Sequence, residues 1–229
     1  THPSNMKKIL IPVTNHPTLG TTDQANGTFS PELTHVLHLL LDAGFDYDIA
    51  SIHGGEAPIY GTDLEGDAVN EAILKDETFQ KRMQNTLPVS AVNIADYDAV
   101  FYPGGFGLLS DLASNEDFAK LSATHYENGG LIAAVCHGPA ALLPITLSNG
   151  EKLLASKSVT GFTREEEVDY GTLKDIPFLL EESLTRASAR FNKVQPWNVF
   201  VIEDDRVITG QNPSSAHAVG EALVKALTQ

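Results

Sequence analysis

Leu131 to Leu142 reads LIAAVCHGPAAL, and the fold follows from how this stretch is read. Leu131 to Val135 are apolar throughout, the pattern of a strand buried on both faces, and they run without punctuation into Cys136, His137, Gly138 and Pro139. Ala140 to Leu143 suit the first turn of a helix, Pro139 is tolerated at a first helical position, and Gly138 permits close backbone approach in the turn. Strand, sharp turn and helix make a nucleophile elbow with a thiol where a serine could stand. The sulfur is expected at the carboxyl end of a central strand, beside a helix amino terminus whose positive dipole end lowers a thiol pKa and favours the thiolate. A lone cysteine after an apolar strand is more often a small core filler. The tight turn, the imidazole of His137 on the next residue and the absence of any other cysteine in 229 residues point instead to a nucleophile.

Working outward toward the amino terminus, a helix is predicted over Asn115 to Asn128, stopped by Gly129 and Gly130. Before it, Ala99 to Tyr102 reads as a short buried strand, and Pro103, Gly104, Gly105, Phe106 and Gly107 form a turn whose glycines let backbone amides point toward a ligand, although a tight structural turn would look the same. Tyr47 to Ile52 is a further strand. Residues Glu56 to Pro88 hold two short acidic, weakly amphipathic stretches that read as an inserted helical flap. Ile9 to Val13 is a first buried strand, followed by a long polar loop from Thr14 to Ser30. The next helix is expected to start with Ser30 as N-cap and Pro31 at the first position, to bury Leu33, Val36, Leu37 and Leu40, and to stop at Gly44. Glu32 falls in its first turn, where a carboxylate would ordinarily just complement the dipole. His35 and His38 lie opposite the leucine stripe and read as solvent-facing, not as metal ligands.

Toward the carboxyl terminus, Ser158 to Thr163 (SVTGFT) reads as a strand with Glu165, Glu166 and Glu167 at its end. Phe178 to Arg186 fits a helix. Val199 to Ile202 and Arg206 to Ile208 pair as a β-hairpin through Asp204 and Asp205. A final helix capped by Ser214 or Ser215 carries Ala216, Val219, Ala222, Leu223 and Ala226 on one face. Trp197, the only tryptophan, reads as a packing or interface residue. Helices alternating with apolar strands predict one α/β domain over residues 1–229, a flavodoxin-like doubly wound sandwich with a mainly parallel sheet, the elbow and a C-terminal hairpin. Its ligand crevice lies at the carboxyl ends of the strands.

Bulk composition narrows the function. A formal charge of −15 from 15 basic and 30 acidic residues repels a phosphate backbone and argues against nucleic acid. One cysteine forms no internal disulfide, no apolar run reaches the roughly 18 residues that cross a bilayer, and the opening THPSNMKK has no signal-peptide core. A cytoplasmic, reducing location with no membrane association is expected.

With these residues collected, the chain resembles the ThiJ/PfpI superfamily, relatives of class I glutamine amidotransferase domains, from Lys7 to the final helix. AVCHGPAAL, SVTGFTREEE, PFLLE and ITGQNPSSA, in that order, are similar to the subgroup of glutathione-independent glyoxalase III enzymes and their heat-shock chaperone relatives. The resemblance implies Cys136 as nucleophile and His137 as its partner, with Glu167 as the acid that orients the imidazole and Glu165 or Glu166 as alternatives. It implies that Glu32, in a GxFxxE pattern from Gly27, approaches the sulfur, and that the amides of Gly105 and His137 form an oxyanion hole. Many relatives read PGGHG where this chain has Phe106, which bears on substrate fit. A homodimer is the superfamily habit.

The chemistry implied is cofactor- and metal-independent: attack of the Cys136 thiolate on a small 2-oxoaldehyde such as methylglyoxal, proton transfer by His137, and hydrolysis to a 2-hydroxy acid, D-lactate by analogy. The same residues would also serve a protein deglycase or a small amidase or peptidase. A stress-response holdase chaperone or cysteine redox sensor is the non-enzymatic alternative.

Overall fold

Seven strands make the central sheet, in the spatial order Val201–Asp204, Val207–Gly210, Leu131–Val135, Ala99–Tyr102, Lys8–Pro12, Asp46–Ser51 and Leu87–Pro88. This computed structural model describes residues 6–229. Thr1 to Asn5, part of the segment with no signal-peptide core in the sequence, lie outside that range. In chain order the elements are β1 (Lys8–Pro12), β2 (Thr28–Phe29), α1 (Ser30–Asp42), β3 (Asp46–Ser51), β4 (Ile59–Tyr60), α2 (Ala68–Lys75), α3 (Glu77–Gln84), β5 (Leu87–Pro88), β6 (Ala99–Tyr102), α4 (Glu116–Glu127), β7 (Leu131–Val135), β8 (Ser158–Val159), α5 (Arg164–Tyr170), α6 (Leu180–Ala187), β9 (Arg190–Phe191), β10 (Val201–Asp204), β11 (Val207–Gly210) and α7 (Ala216–Leu227).

All pairs in this sheet are parallel except the β10–β11 hairpin. The turn of that hairpin holds Asp205 and Arg206 at positive φ (42° and 66°), which matches the twist of the flanking strands. The steps β1 to β3 and β6 to β7 run in opposite directions across the sheet, so right-handed crossovers put α1 and α4 on opposite faces. The chain therefore switches direction beside β1 and β6, and the crevice opens at their carboxyl ends.

The long apolar runs became central strands because burial on both faces needs no alternation; every residue of β6 and all of β7 beyond Leu131 is buried. α1 buries Leu33, Val36, Leu37 and Leu40, each worth about 2 kcal/mol of removed apolar surface. α7 packs against α1 through Gly220, where a Cβ would stand 2.8 Å from the Leu39 side chain. Helices α2 and α3 occupy the segment expected as a flap, and Ile73, Phe79 and Met83 join the core.

Three local expectations differ from the structure. The N-cap of α1 is Phe29, not Ser30: the Ser30 hydroxyl donates instead to Oδ1 of buried Asn70 at 2.6 Å, tying α1 to α2. SVTGFT is a strand only over Ser158–Val159, which pairs with β9 outside the main sheet. Beyond it, Thr160 N–H donates to the Thr209 hydroxyl and Phe162 N–H to the Cys136 carbonyl, so side-chain and elbow contacts replace a ladder. Finally, the turn after Cys136 is a 3-10 helix, Gly138–Leu142, and not the start of an α-helix. Ala140 N–H bonds His137 O and Leu143 N–H bonds Ala140 O, while Pro144 has no N–H to extend an i to i−4 ladder.

Candidate active site

Cys136 sits at φ 65°, a left-handed conformation that costs a residue with a Cβ roughly 1–2 kcal/mol. Two hydrogen bonds hold it there: its N–H donates to Gly210 O at 2.9 Å, and its carbonyl accepts from Phe162 N–H at 2.9 Å. Gly138 completes the bend, because a Cβ at that position would stand 2.3 Å from the Tyr102 carbonyl oxygen. The end of β11 and the segment after β8 thus clamp the elbow, and the bend turns the side chains of Cys136 and His137 toward each other when an extended strand would send them to opposite faces.

The sulfur lies 3.6 Å from Nδ1 of His137, and Nε2 of the same ring lies 2.8 Å from Oε2 of Glu167. Glu167 is fully buried at the first turn of α5, and its other oxygen accepts from the Thr172 hydroxyl at 2.6 Å. The imidazole is held between Phe106 and Phe162, each with its ring centroid 4.5 Å away. Phe106 therefore offers an apolar ring face to the imidazole and no polar side-chain contact.

The three consecutive glutamates separate by their direction around one helical turn. Glu165 is exposed and pairs with Lys193 at 3.0 Å. Glu166 is fully buried and accepts from the Thr163 N–H and hydroxyl, Gln211 Nε2, Asn212 Nδ2 and the Trp197 N–H, closing a capping box with Thr163 on the way. Only Glu167 reaches His137.

Glu32 enters from the first turn of α1 and is 1% exposed. Its Oε1 has no well-formed hydrogen bond and rests against Gly104, where a Cβ would be 2.0 Å away. Burial pushes this carboxyl up to about 8, with smaller opposing contributions from the Cys136 thiol and the Gly104 amide. Burial likewise pushes the Cys136 thiol up, reinforced by the negative charge of Glu32, and this is the reverse of the depression expected from a helix dipole. A short 3-10 turn supplies little dipole, and desolvation outweighs it. At neutral pH Glu32 holds its proton, which removes its repulsion of the sulfur.

Gly105 has φ 136°, and a Cβ there would meet Gly27 O at 2.1 Å, so only glycine lets this turn close on β2. Among the described residues neither the Gly105 nor the His137 N–H donates a hydrogen bond within the chain. Elsewhere, His35 bonds Asp67 at 2.7 Å and His38 approaches Asp42 at 3.5 Å, both half-exposed. Among the described residues no group of three or more His, Cys, Asp or Glu side chains is arranged to hold a metal ion.

These groups open into a pocket of about 200 Å³. Its remaining lining comes from Phe29, Tyr60, Phe162, Tyr170, Trp197 and Pro213, residues the sequence did not mark as a site. Phe29 and Phe162 fall inside quoted motifs, but Tyr60, Tyr170 and Trp197 come from separate segments with no local signature, and only the fold joins them.

A doubly wound α/β domain with a strained cysteine on an elbow, backed by an imidazole and a buried carboxylate, defines a class of cysteine-elbow proteins. The chain belongs to the DJ-1/PfpI family, whose model matches residues 24–226. It is 31% identical over 232 residues to the glutathione-independent glyoxalase HSP31 of Saccharomyces cerevisiae, covering 96% of this chain and 98% of that one. Among solved structures, the Rapid Encystment Protein 24 KDa of Francisella tularensis superposes with TM-score 0.92 at 35% identity, covering 97% of this chain and 99% of that one. Glyoxalase III of Candida albicans superposes with TM-score 0.87 at 27% identity, covering 97% and 98%. A protein/nucleic acid deglycase HchA of Staphylococcus aureus is 28% identical over 212 residues, 87% of this chain and 72% of that one.

Proposed function

We propose that the chain is a glutathione-independent glyoxalase that converts a small 2-oxoaldehyde such as methylglyoxal to D-lactate on Cys136, without a cofactor. The observation that carries this reading is the relay from Sγ of Cys136 to Nδ1 of His137 at 3.6 Å and from Nε2 to Glu167 at 2.8 Å. With Nε2–H donating to an ionised Glu167, Nδ1 is left as a base facing the thiol, and transfer of the thiol proton to it yields a thiolate beside an imidazolium. The thiolate attacks the aldehyde carbon, and the carbonyl electron pair moves to oxygen, where the free N–H groups of Gly105 and His137 are available to hold it. Proton return gives a hemithioacetal. His137 then removes the proton from the former aldehyde carbon and delivers one to the neighbouring carbon through an enediolate, leaving a lactoyl thioester. Water cleaves the thioester, releasing D-lactate and restoring the thiol. Neutral Glu32 would donate a hydrogen bond to the sulfur while it is anionic.

The reading extends to a reducing, cytoplasmic location, in which the free Cys136 thiol stays available, and to a homodimer. We also read residues 1–229 as one domain in which 56–88 covers the pocket through Tyr60. No helix among the described residues is long and apolar enough to cross a membrane. The test is D-lactate production from methylglyoxal with no glutathione present, comparing the unmodified protein with Cys136→Ala and Glu167→Gln. Loss in Cys136→Ala and a large drop in Glu167→Gln support the reading; equal rates in all three refute it. The likeness to a deglycase favours a second use of the same residues, and release of adduct from glycated thiols while free methylglyoxal is scavenged would identify it.

A further inference from the structure

The pocket wall around the sulfur is built from rings. Phe106 stacks on Tyr170 at 6.1 Å with 12° between planes, Tyr170 meets Trp197 at 6.1 Å, and Trp197 meets Phe162 edge-on at 5.5 Å. Phe29 and Tyr60 add a second pair at 5.0 Å. Among the described residues no lysine or arginine lines this pocket, and its ionisable groups are Glu32, Cys136 and His137 with the phenols of Tyr60 and Tyr170, while Glu167 lies behind the imidazole. Such a surface favours planar apolar groups and rejects a second negative charge.

Trp197 is the part of the wall that is most plainly held in place. It lies at φ 68°, a left-handed conformation that a bulky residue adopts only when its surroundings force it, and it lies outside any helix or strand. Its N–H donates to Oε2 of Glu166 at 2.8 Å and its indole Nε1–H to Asp169 at 2.7 Å. With its backbone and its one polar atom both anchored, the ring is fixed against the pocket with no donor left to offer a substrate. The same α5 carries Glu166, which fixes Trp197, and Glu167, which orients His137, so wall and relay share one support.

We propose that Trp197 is a specificity-determining residue that makes the site prefer uncharged 2-oxoaldehydes bearing a planar apolar substituent over methylglyoxal; this rests on the reading of Cys136 as the nucleophile of a glyoxalase. An aryl substituent in place of methyl lies in the pocket against the ring wall to which Trp197 belongs, while the aldehyde carbon stays at the sulfur. The reaction is unchanged: phenylglyoxal plus water gives mandelate by the same shift of hydrogen between adjacent carbons.

The test measures kcat/KM for methylglyoxal, phenylglyoxal and the 4-carboxy derivative of phenylglyoxal, without glutathione, for the unmodified protein, Trp197→Ala and Trp197→Phe. The unmodified protein is expected to favour phenylglyoxal over methylglyoxal by about tenfold or more, and to lose about tenfold when the carboxylate is added. Trp197→Ala is expected to cut the phenylglyoxal to methylglyoxal ratio by about tenfold, and Trp197→Phe to restore most of it. An unmodified protein that turns over methylglyoxal at least as well as phenylglyoxal overturns the inference and leaves the proposed reaction standing, whatever the variants do. A ratio unmoved by Trp197→Ala overturns the role of Trp197. Conversion of neither aldehyde overturns the glyoxalase reading itself.

Discussion

The Nε2–H of His137 is held by Oε2 of Glu167 at 2.8 Å with both side chains buried, and that bond decides which imidazole nitrogen meets the sulfur of Cys136. Replacing the carboxylate by an amide of the same shape removes the charge that stabilises the imidazolium and lets the ring take the wrong tautomer. Glu167→Gln is expected to lower kcat for methylglyoxal by about 10²-fold or more while leaving the far-ultraviolet circular dichroism unchanged. Steady-state D-lactate assays at neutral pH measure it.

Glu32 gives a pH signature of known sign. Its carboxyl is raised from 4.5 to about 8 by burial, so between those values the folded chain keeps a proton that the unfolded chain releases. Stability from this residue is therefore full below about pH 4.5 and is lost as pH rises through about 8. Glu32→Gln removes the loss: relative to the unmodified protein, the variant is expected to gain a few kcal/mol in urea unfolding on going from about pH 5 to about pH 9. If the neutral acid assists the sulfur, kcat/KM of the unmodified protein should also fall above about pH 8, and that limb should be absent in Glu32→Gln.

The turn at Gly104 and Gly105 tolerates no side chain. In Gly104→Ala the new Cβ would stand 2.0 Å from Oε1 of Glu32, and it must displace either the carboxyl or the turn. A loss of about 2 kcal/mol or more is expected, together with most of the activity. Gly44→Ala is the control: its φ is 79° but nothing lies within 4 Å, so only the backbone strain of about 1 kcal/mol is expected, with activity retained. Thermal unfolding and the lactate assay on both variants separate close approach from strain.

Glu166 and Glu165 are neighbours in sequence with opposite weight. Truncating Glu166 leaves the donors of Thr163, Trp197, Gln211 and Asn212 buried without their acceptor, and Glu166→Ala is expected to cost about 3–5 kcal/mol. Glu165→Ala breaks one exposed pair with Lys193 and is expected to stay within about 0.5 kcal/mol. Denaturant midpoints at constant slope are the measurement.

Much of this architecture was legible in the chain because burial on both faces writes a continuous apolar run, as in Ala99 to Tyr102 and Leu131 to Val135, and because a turn with glycine and proline follows each. The elbow was legible for the same reason. The resemblance pointed to Glu167 with Glu165 and Glu166 as alternatives, but as letters the three are equivalent, and only the rotation of α5 sends one to Lys193, one to Trp197 and one to His137. The upward shift of the thiol is not legible, because a dipole is visible in a strand–turn–helix pattern whereas the burial that outweighs it is a property of the packed fold. The aromatic wall is illegible for a similar reason, since Tyr60, Tyr170 and Trp197 come to one pocket only after three separate segments have folded together.

Bonding of the Cys136 sulfur to the aldehyde carbon, as proposed, is read out by acid-quenching the protein during glutathione-free turnover of methylglyoxal and mapping the peptide that carries Cys136. The expected result is that peptide heavier by one methylglyoxal on sulfur, with the adduct forming and decaying at the rate at which D-lactate appears. D-lactate produced at that rate while the Cys136 sulfur stays unmodified, or undiminished in Cys136→Ala, would contradict the account.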